Sequence, residues 1–302
     1  MTTAARACAA VVAAGALVLG IAAATARPAA GPGGRDARTT AAVWAGYPFM
    51  PAGRPAGAGP RAAGPAVANI TTVGSLNWAG YGVSRPGTHF QSVRATFFVP
   101  YLRCVPSLGA TMSSDWVGLD GFVGHPRSVE QGGIAADCSA AGKATYYAWY
   151  EMFHRPEIRT SLSIRAGDSV TATVSWDAAA KDFRISLTDN SRGGHFAVTR
   201  KCPDVRVGKK RLVCPRNSAE IISEAPATGT SRHVVLSHLS DYGAISFAGI
   251  SVADSAGQDG AIVSPRWNAT KIVQMRKSSG PDIARPTPTQ SSMFDDYWLQ
   301  PD

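Results

Sequence analysis

What the sequence lacks narrows its function before anything it contains. Beyond the N-terminal run no stretch approaches the roughly 20 apolar residues of a membrane-spanning helix, so the mature chain is expected to be soluble. No long segment carries a 3.6-residue apolar period, which argues against a helical fold, and no internal repeat is evident. G-x-S-x-G, H-E-x-x-H and P-loop signatures are all missing. His233, His238 and Asp241 lie close together, but no signature serine accompanies them, which argues against a serine triad. Cysteines are few, without C-x-x-C spacing, and the histidines are scattered, so zinc is the weaker use for them. Acidic residues almost vanish from the first 70 positions, where six Arg against Asp36 supply +5 of the formal +9. The remaining charge forms no basic stripe with interleaved aromatics, which argues against nucleic acid as a partner.

What is present begins with an export signal. Residues 1–26 combine Arg6, an apolar run and a small-residue Ala24-Thr25-Ala26 ending, the pattern of a cleaved signal peptide and a secreted product. Residues 27–70 are Ala, Gly, Pro and Arg with few large apolar side chains, and read as a pro-segment or flexible lead. Cys8 leaves with the signal. The other four, Cys104, Cys138, Cys202 and Cys214, suit two disulfides in an exported chain. Three pairings are open, and short loop closure favours Cys104 with Cys138 and Cys202 with Cys214. Residues 200–216 form a basic loop between the second pair, read as a solvated hairpin tip or a docking patch for an acidic partner.

From 71 to 279 the chain is a series of short period-two runs broken by Gly, Pro, Asp and Asn, among them VRATFFVP at 93–100, TYYAWYEMF at 145–153 and DFRISLTD at 182–189. Such spacing predicts one all-β domain, an antiparallel sandwich or barrel. Residues 280–302 read as a Pro/Ser-rich tail whose aromatics could dock back.

Two runs do not fit a simple inside–outside alternation. In 218-SAEIISEAP-226, Glu220 and Glu224 share a face with Ile222, and in 146-YYAWYEMF-153, Glu151 shares one with Tyr147, Trp149 and Phe153. A carboxylate on a packed face is costly unless it is paired or used. Paired carboxylates suggest a glycosidase using Glu151 and Glu220. A non-catalytic sandwich binding peptides or glycans in an aromatic cleft is the alternative from another class.

The ordered set 77-NWAGY-81, 116-WVGLDG-121, 131-QGG-133, 147-YAWYE-151 and 218-SAEIISEAP-226 resembles the eqolisin family of glutamic peptidases, secreted acid endopeptidases made with a signal and a pro-segment. The resemblance implies a sandwich of two antiparallel sheets with a cleft on the concave side, a catalytic dyad of Gln131 and Glu220, and supporting or substrate-binding roles for Trp78, Trp116, Asp120, Trp149 and Glu151. It implies no cofactor and no metal. The expected partners are protein or peptide substrates and the chain's own pro-segment as inhibitor, with no nucleic acid, no membrane after signal removal, and a monomeric state.

The dyad makes chemical sense of buried carboxylates. Peptide hydrolysis without metal or nucleophilic side chain needs a base for water and a donor for the developing oxyanion. An amide donates without titrating, and an ordinary glutamate ionises near about 4.3. Glu151 is expected to orient the site and Glu224 to end its strand at an edge or in an ion pair. The sequence departs from the family pattern at Ile221 (usually Trp), Tyr147 (often Asp) and Ala135 (commonly Asp).

Overall fold

The computed structural model describes residues 42–44, 47–52, 70–124, 128–230, 233–276, 280–290 and 292–302. The signal sequence and most of the lead lie outside the described residues. The strands in chain order are β1 (Ala42–Trp44), β2 (Thr71–Ser75), β3 (Trp78–Ser84), β4 (Phe90–Phe98), β5 (Thr111–Leu119), β6 (Val129–Cys138) and β7 (Ala144–Phe153). They continue with β8 (Ile158–Arg159), β9 (Ser169–Asp177), β10 (Asp182–Asp189), β11 (Gly194–Arg200), β12 (Arg206–Val207), β13 (Lys210–Arg211) and β14 (Ser218–Glu224). The last are β15 (Ala227–Thr230), β16 (His233–Leu236), β17 (Ala244–Asp254), β18 (Asp259–Gly260), β19 (Asn268–Met275), β20 (Asp282–Pro286) and β21 (Phe294–Trp298).

Most of these strands pair along one path, β11-β10-β9-β4-β17-β21-β20-β19-β3-β14-β5-β6-β7-β8, antiparallel throughout, with β2 added parallel to β19. The path turns back on itself, so that its two ends form the layers of a sandwich. On β10 the alternation is simple: Phe183, Ile185 and Leu187 are buried and Arg184 is exposed. These side chains meet Leu119, Ile134, Ala219 and Ile221 from β5, β6 and β14 in one core between the layers.

The second layer differs. β14 is buried at every position, and β6 at all but one. Its inner face packs on the core; its outer face carries a separate cluster that includes Trp78, Trp116, Trp149, Ile222 and Phe153. A strand buried on both faces cannot show polar–apolar alternation, which is why its glutamates stood out.

The sandwich reaches further along the chain than the period-two runs indicate. β20 and β21 lie inside the sheet between β19 and β17, and Phe294 stacks on Phe247 with centroids 4.9 Å apart. The segment read as a tail is thus an integral hairpin, because Ile283, Ala284 and Phe294 supply apolar positions its prolines obscured. Disulfides join Cys104 to Cys138 and Cys202 to Cys214, the pairing that loop closure favours. The basic loop closed by the second disulfide carries the β12–β13 hairpin. Among the described residues no helix is long and apolar enough to cross a membrane.

Part of the predicted lead is seated on the sandwich. β1 pairs with β15, and Pro51 bridges to Ser75. Between them runs Tyr47-Pro48-Phe49-Met50-Pro51-Ala52, the lead's local concentration of large side chains.

Candidate active site

The register across the outer-facing layer sets five residues in one row: Gly82 on β3, Glu220 on β14, Gly118 on β5, Gln131 on β6 and Glu151 on β7. Directly opposed residues project to the same face. Glu220, Gln131 and Glu151 therefore share the aromatic face, and all three are fully buried. Glu220 and Gln131 are two strand spacings apart at the backbone, about 10 Å. The residue between them has no side chain. A Cβ on Gly118 would lie 2.9 Å from Trp116 Cζ3 and 3.2 Å from Gln131 Cβ, so the glycine leaves room for the amide and the indole together. Gly133 does the same beneath Trp116, where a Cβ would come within 2.6 Å of the tryptophan's own Cβ.

Burial raises the Glu220 carboxyl well above the usual carboxylate range, and the charge of Asp120 adds to this. The Ser218 hydroxyl and the Phe122 N–H pull the other way, but neither reaches hydrogen-bond geometry. The sequence-based expectation of ionisation near the ordinary glutamate value is corrected accordingly: that value presumes water around the group, and here water is excluded.

Asp120 ends β5 with φ 68°, a left-handed conformation uncommon outside glycine. Its carboxylate accepts from the Arg216 N–H at 2.7 Å, the Asn217 N–H at 2.8 Å and the Ser128 hydroxyl at 3.3 Å. It thus ties the end of β5 to the chain entering β14. Burial pushes it up to about 6 despite these donors.

Glu224 is neither an edge residue nor an ion-paired one. It is fully buried; Oε1 accepts from the Asn77 side chain and the Tyr47 N–H, both at 2.9 Å, and Oε2 accepts from Trp116 Nε1 at 3.0 Å. Its carboxyl aligns the tryptophan of the 116–121 motif with the asparagine of the 77–81 motif. Trp78 crosses Trp116 edge to face, centroids 5.1 Å apart, and donates Nε1–H to the Tyr47 carbonyl at 2.8 Å.

The Tyr47–Ala52 segment closes this face. Asn77 Nδ2 donates to the carbonyls of Tyr47 and Pro48, and its Oδ1 accepts from the Met50 N–H at 3.0 Å. Phe49 donates its N–H to the Gly121 carbonyl and packs against Trp78 and Phe122. Phe122 in turn lies over Gly82, the neighbour of Glu220 in the row.

Two of the departures from the family pattern are partners. Ala135 stands opposite Tyr147 across β6 and β7, and the small residue accompanies the large one in the outer cluster. The Tyr147 hydroxyl donates to Glu157 Oε1 at 3.0 Å while Arg159 lies over its ring. Ile221 faces the core between the layers, not the cleft. Trp149 and Glu151 fall on the outer face as expected, Trp149 opposite Gly133. Sequence reasoning missed Asn77, Phe122, Ser218 and Glu130. Asn77 and Ser218 do open two of the quoted motifs, and Glu130 directly precedes the third.

Comparisons with known proteins bear on the family and the fold. The model of the Peptidase A4 family matches residues 76–293. Scytalido-glutamic peptidase, solved with a transition state analog inhibitor, is 22% identical with a TM-score of 0.59, covering 74% of this chain and 98% of its own. SCP-B, a member of the eqolisin family solved with the tripeptide Ala-Ile-His, is also 22% identical, with a TM-score of 0.55 and the same coverage. These likenesses bear on the fold. A comparison with curated proteins returns no match.

Proposed function

The chain belongs to the Peptidase A4 family, the glutamic peptidases or eqolisins, and on that premise we propose that Glu220 is the general base and Gln131 the oxyanion donor of an exported endopeptidase that works in acid. The observation that carries the reading is the row itself: a carboxyl and an amide on one face, with a glycine between them. Glu220 takes a proton from water as that water attacks the scissile carbonyl; the Gln131 N–H groups receive the oxygen that becomes negative; protonated Glu220 then gives its proton to the leaving amine. Atoms and charge balance with no further group. A buried carboxyl raised in this way is a stronger base in the smaller fraction that is ionised in acid, and a ready acid once protonated.

Acid conditions suit the rest of the molecule as well. Burial raises Asp115 to about 7 and Asp296 to about 8, and these side chains are in their favoured neutral form only at low pH. Two disulfides and the N-terminal apolar run support export to an oxidising compartment.

Tyr47–Ala52 acts, in this reading, as the inhibitory part of the pro-segment. It fills the aromatic face with backbone hydrogen bonds and one phenylalanine, as an extended peptide substrate would. Peptide substrates then occupy the same face once it leaves.

Hydrolysis of a denatured protein across acidic pH, with a metal chelator present, tests the proposal. Wild type should cleave and Glu220→Gln should lose about 10²–10⁴ in rate; a Glu220→Gln enzyme with wild-type activity would end the reading and favour a binding sandwich. Phe49→Ala should shorten the lag before activity appears, and an unchanged lag would remove the inhibitory role of the segment.

A further inference from the structure

At the rim of the aromatic face, past Trp149, sits a charge that the chemistry above does not use. β8 is the edge strand of this layer, and its Arg159 stands opposite Trp149. The guanidinium lies on the Tyr147 ring, with Cζ 3.7 Å from the centroid, and its Nε is 3.8 Å from Glu157 Oε1. That oxygen also accepts the Tyr147 O–H at 3.0 Å. Ring and carboxyl thus hold the arginine from two sides. Its two terminal nitrogens meet no acceptor among the described residues. The Glu157 side chain is 6% exposed and that of Arg159 59%, so of this pair the cation is the one an incoming ligand can reach.

The position suits a substrate several residues from its scissile bond. Trp149 faces Gly133, one row from the pair Gln131 and Glu151. Arg159 is therefore two strand spacings, about 10 Å, from β6 and two residues, about 7 Å, along from Gln131. An extended peptide advances about 3.3 Å per residue, so a side chain roughly three or four residues from the scissile carbonyl comes within reach. The docked lead follows such a course. Its Tyr47 N–H meets Glu224, in the row of Ser114, Ala135 and Tyr147, and its Phe49 N–H meets the carbonyl of Gly121, three residues past Gly118 in the dyad row. A peptide lying along it passes the Tyr147 row on its way to the dyad.

The chemistry of the site selects a carboxylate. A planar guanidinium with both terminal nitrogens open pairs best with one, and arginine stays charged throughout the acid range. Burial raises Glu157 and the nearby Asp137 each to about 7, so in acid neither cancels that charge. We propose that Arg159 is a specificity-determining residue: its guanidinium, held against Tyr147 and Glu157, receives a carboxylate side chain of the peptide substrate about three to four residues from the scissile bond. The inference rests on the peptidase reading above.

Peptides identical but for one residue, with Glu, Gln or Lys placed in turn along both sides of the scissile bond, test it at low salt and about pH 5, where a peptide glutamate is mostly ionised. At one position wild type should cleave the Glu peptide with kcat/KM about 3- to 10-fold above the Lys peptide, the difference lying in KM, as expected of a partly exposed ion pair. Arg159→Gln should flatten that ratio, Arg159→Glu should invert it, and Arg159→Lys should keep part of it. The readout is a ratio between peptides, so a general loss of active enzyme cancels. A wild type without a Glu preference at any position, or one that prefers Lys, would overturn the proposal, as would a Glu preference that survives in Arg159→Glu. Cleavage that depends on Glu220 with flat ratios ends this inference and leaves the dyad standing; cleavage that persists in Glu220→Gln removes the dyad itself, and a wild type that cleaves no peptide removes both.

Discussion

The inner and outer faces of β14, β5 and β6 are equally dry and differ in the side chains they bury. Toward the core the strands present Ala219, Ile221, Val117, Leu119 and Ile134; on the outer side they present Glu220, Ile222, Glu224, Trp116 and Gln131. Burial alone therefore says nothing about which face is functional. What separates them is that the outer face sets its carboxyls and amide among tryptophans and beside glycines that keep the space open. The inner face buries mostly apolar side chains, with the bonded pair Ser223 and Asp115 among them; the outer one buries Glu220, Glu224 and Gln131 beside the tryptophans.

The comparison can be broken from either side. On the outer face, Gln131→Ala should lower turnover by about 10²–10³ with little change in thermal midpoint, since a lost oxyanion donor is felt in the transition state. On the inner face, Ile221→Ala should do the reverse, costing about 2–5 kcal/mol in denaturant unfolding while the folded enzyme keeps its turnover. A large activity loss in folded Ile221→Ala would blur the distinction between the faces.

The pH dependence of stability sharpens it further. Asp115, raised by burial to about 7 and bonded to Ser223, and Asp296, raised by burial to about 8 and bonded to Tyr242, hold protons that the unfolded chain releases near 3.8. In that window the folded state binds more protons, so stability is fully present below about pH 4 and falls as pH rises toward 7 to 8. Glu220 and Glu224, raised by burial, act in the same direction. Thermal unfolding should show a midpoint lower by about 5–15 °C at pH 7 than at pH 4, corresponding to a few kcal/mol. A midpoint that rises with pH would mean that these groups are not neutral in the fold. The smallest effect is expected for Trp116→Phe, which removes the bond to Glu224 Oε2 and should cost about 1–2 kcal/mol.

Much of this was legible in the sequence, for physical reasons. β4, β9, β10 and β17 announce themselves by alternation because one face meets the core and the other is less buried. The hairpin β20–β21 did not, because prolines and an intervening polar stretch disguise strands whose apolar positions are few. Nor did the docking of Tyr47–Ala52, a short aromatic patch within a segment whose average composition reads as unstructured. At the site, the motifs and their order gave Gln131 and Glu220, and a two-residue period gave the faces that Glu220 shares with Ile222 and Glu151 with Trp149. Their convergence depends on β14 and β6 flanking β5, a matter of long-range pairing that no local pattern contains. Glu224 was misjudged for the same reason: its partners, Asn77, Trp116 and Tyr47, lie 108 to 177 residues away in sequence.

The most direct test of the account is a double-variant cycle on the two outer-face residues, measuring kcat/KM at acidic pH for wild type, Glu220→Gln, Gln131→Ala and the pair. Two groups that act on one water and one carbonyl work as a unit, so the double variant should lose little more than Glu220→Gln alone. Losses that multiply, as for independent sites, would contradict it.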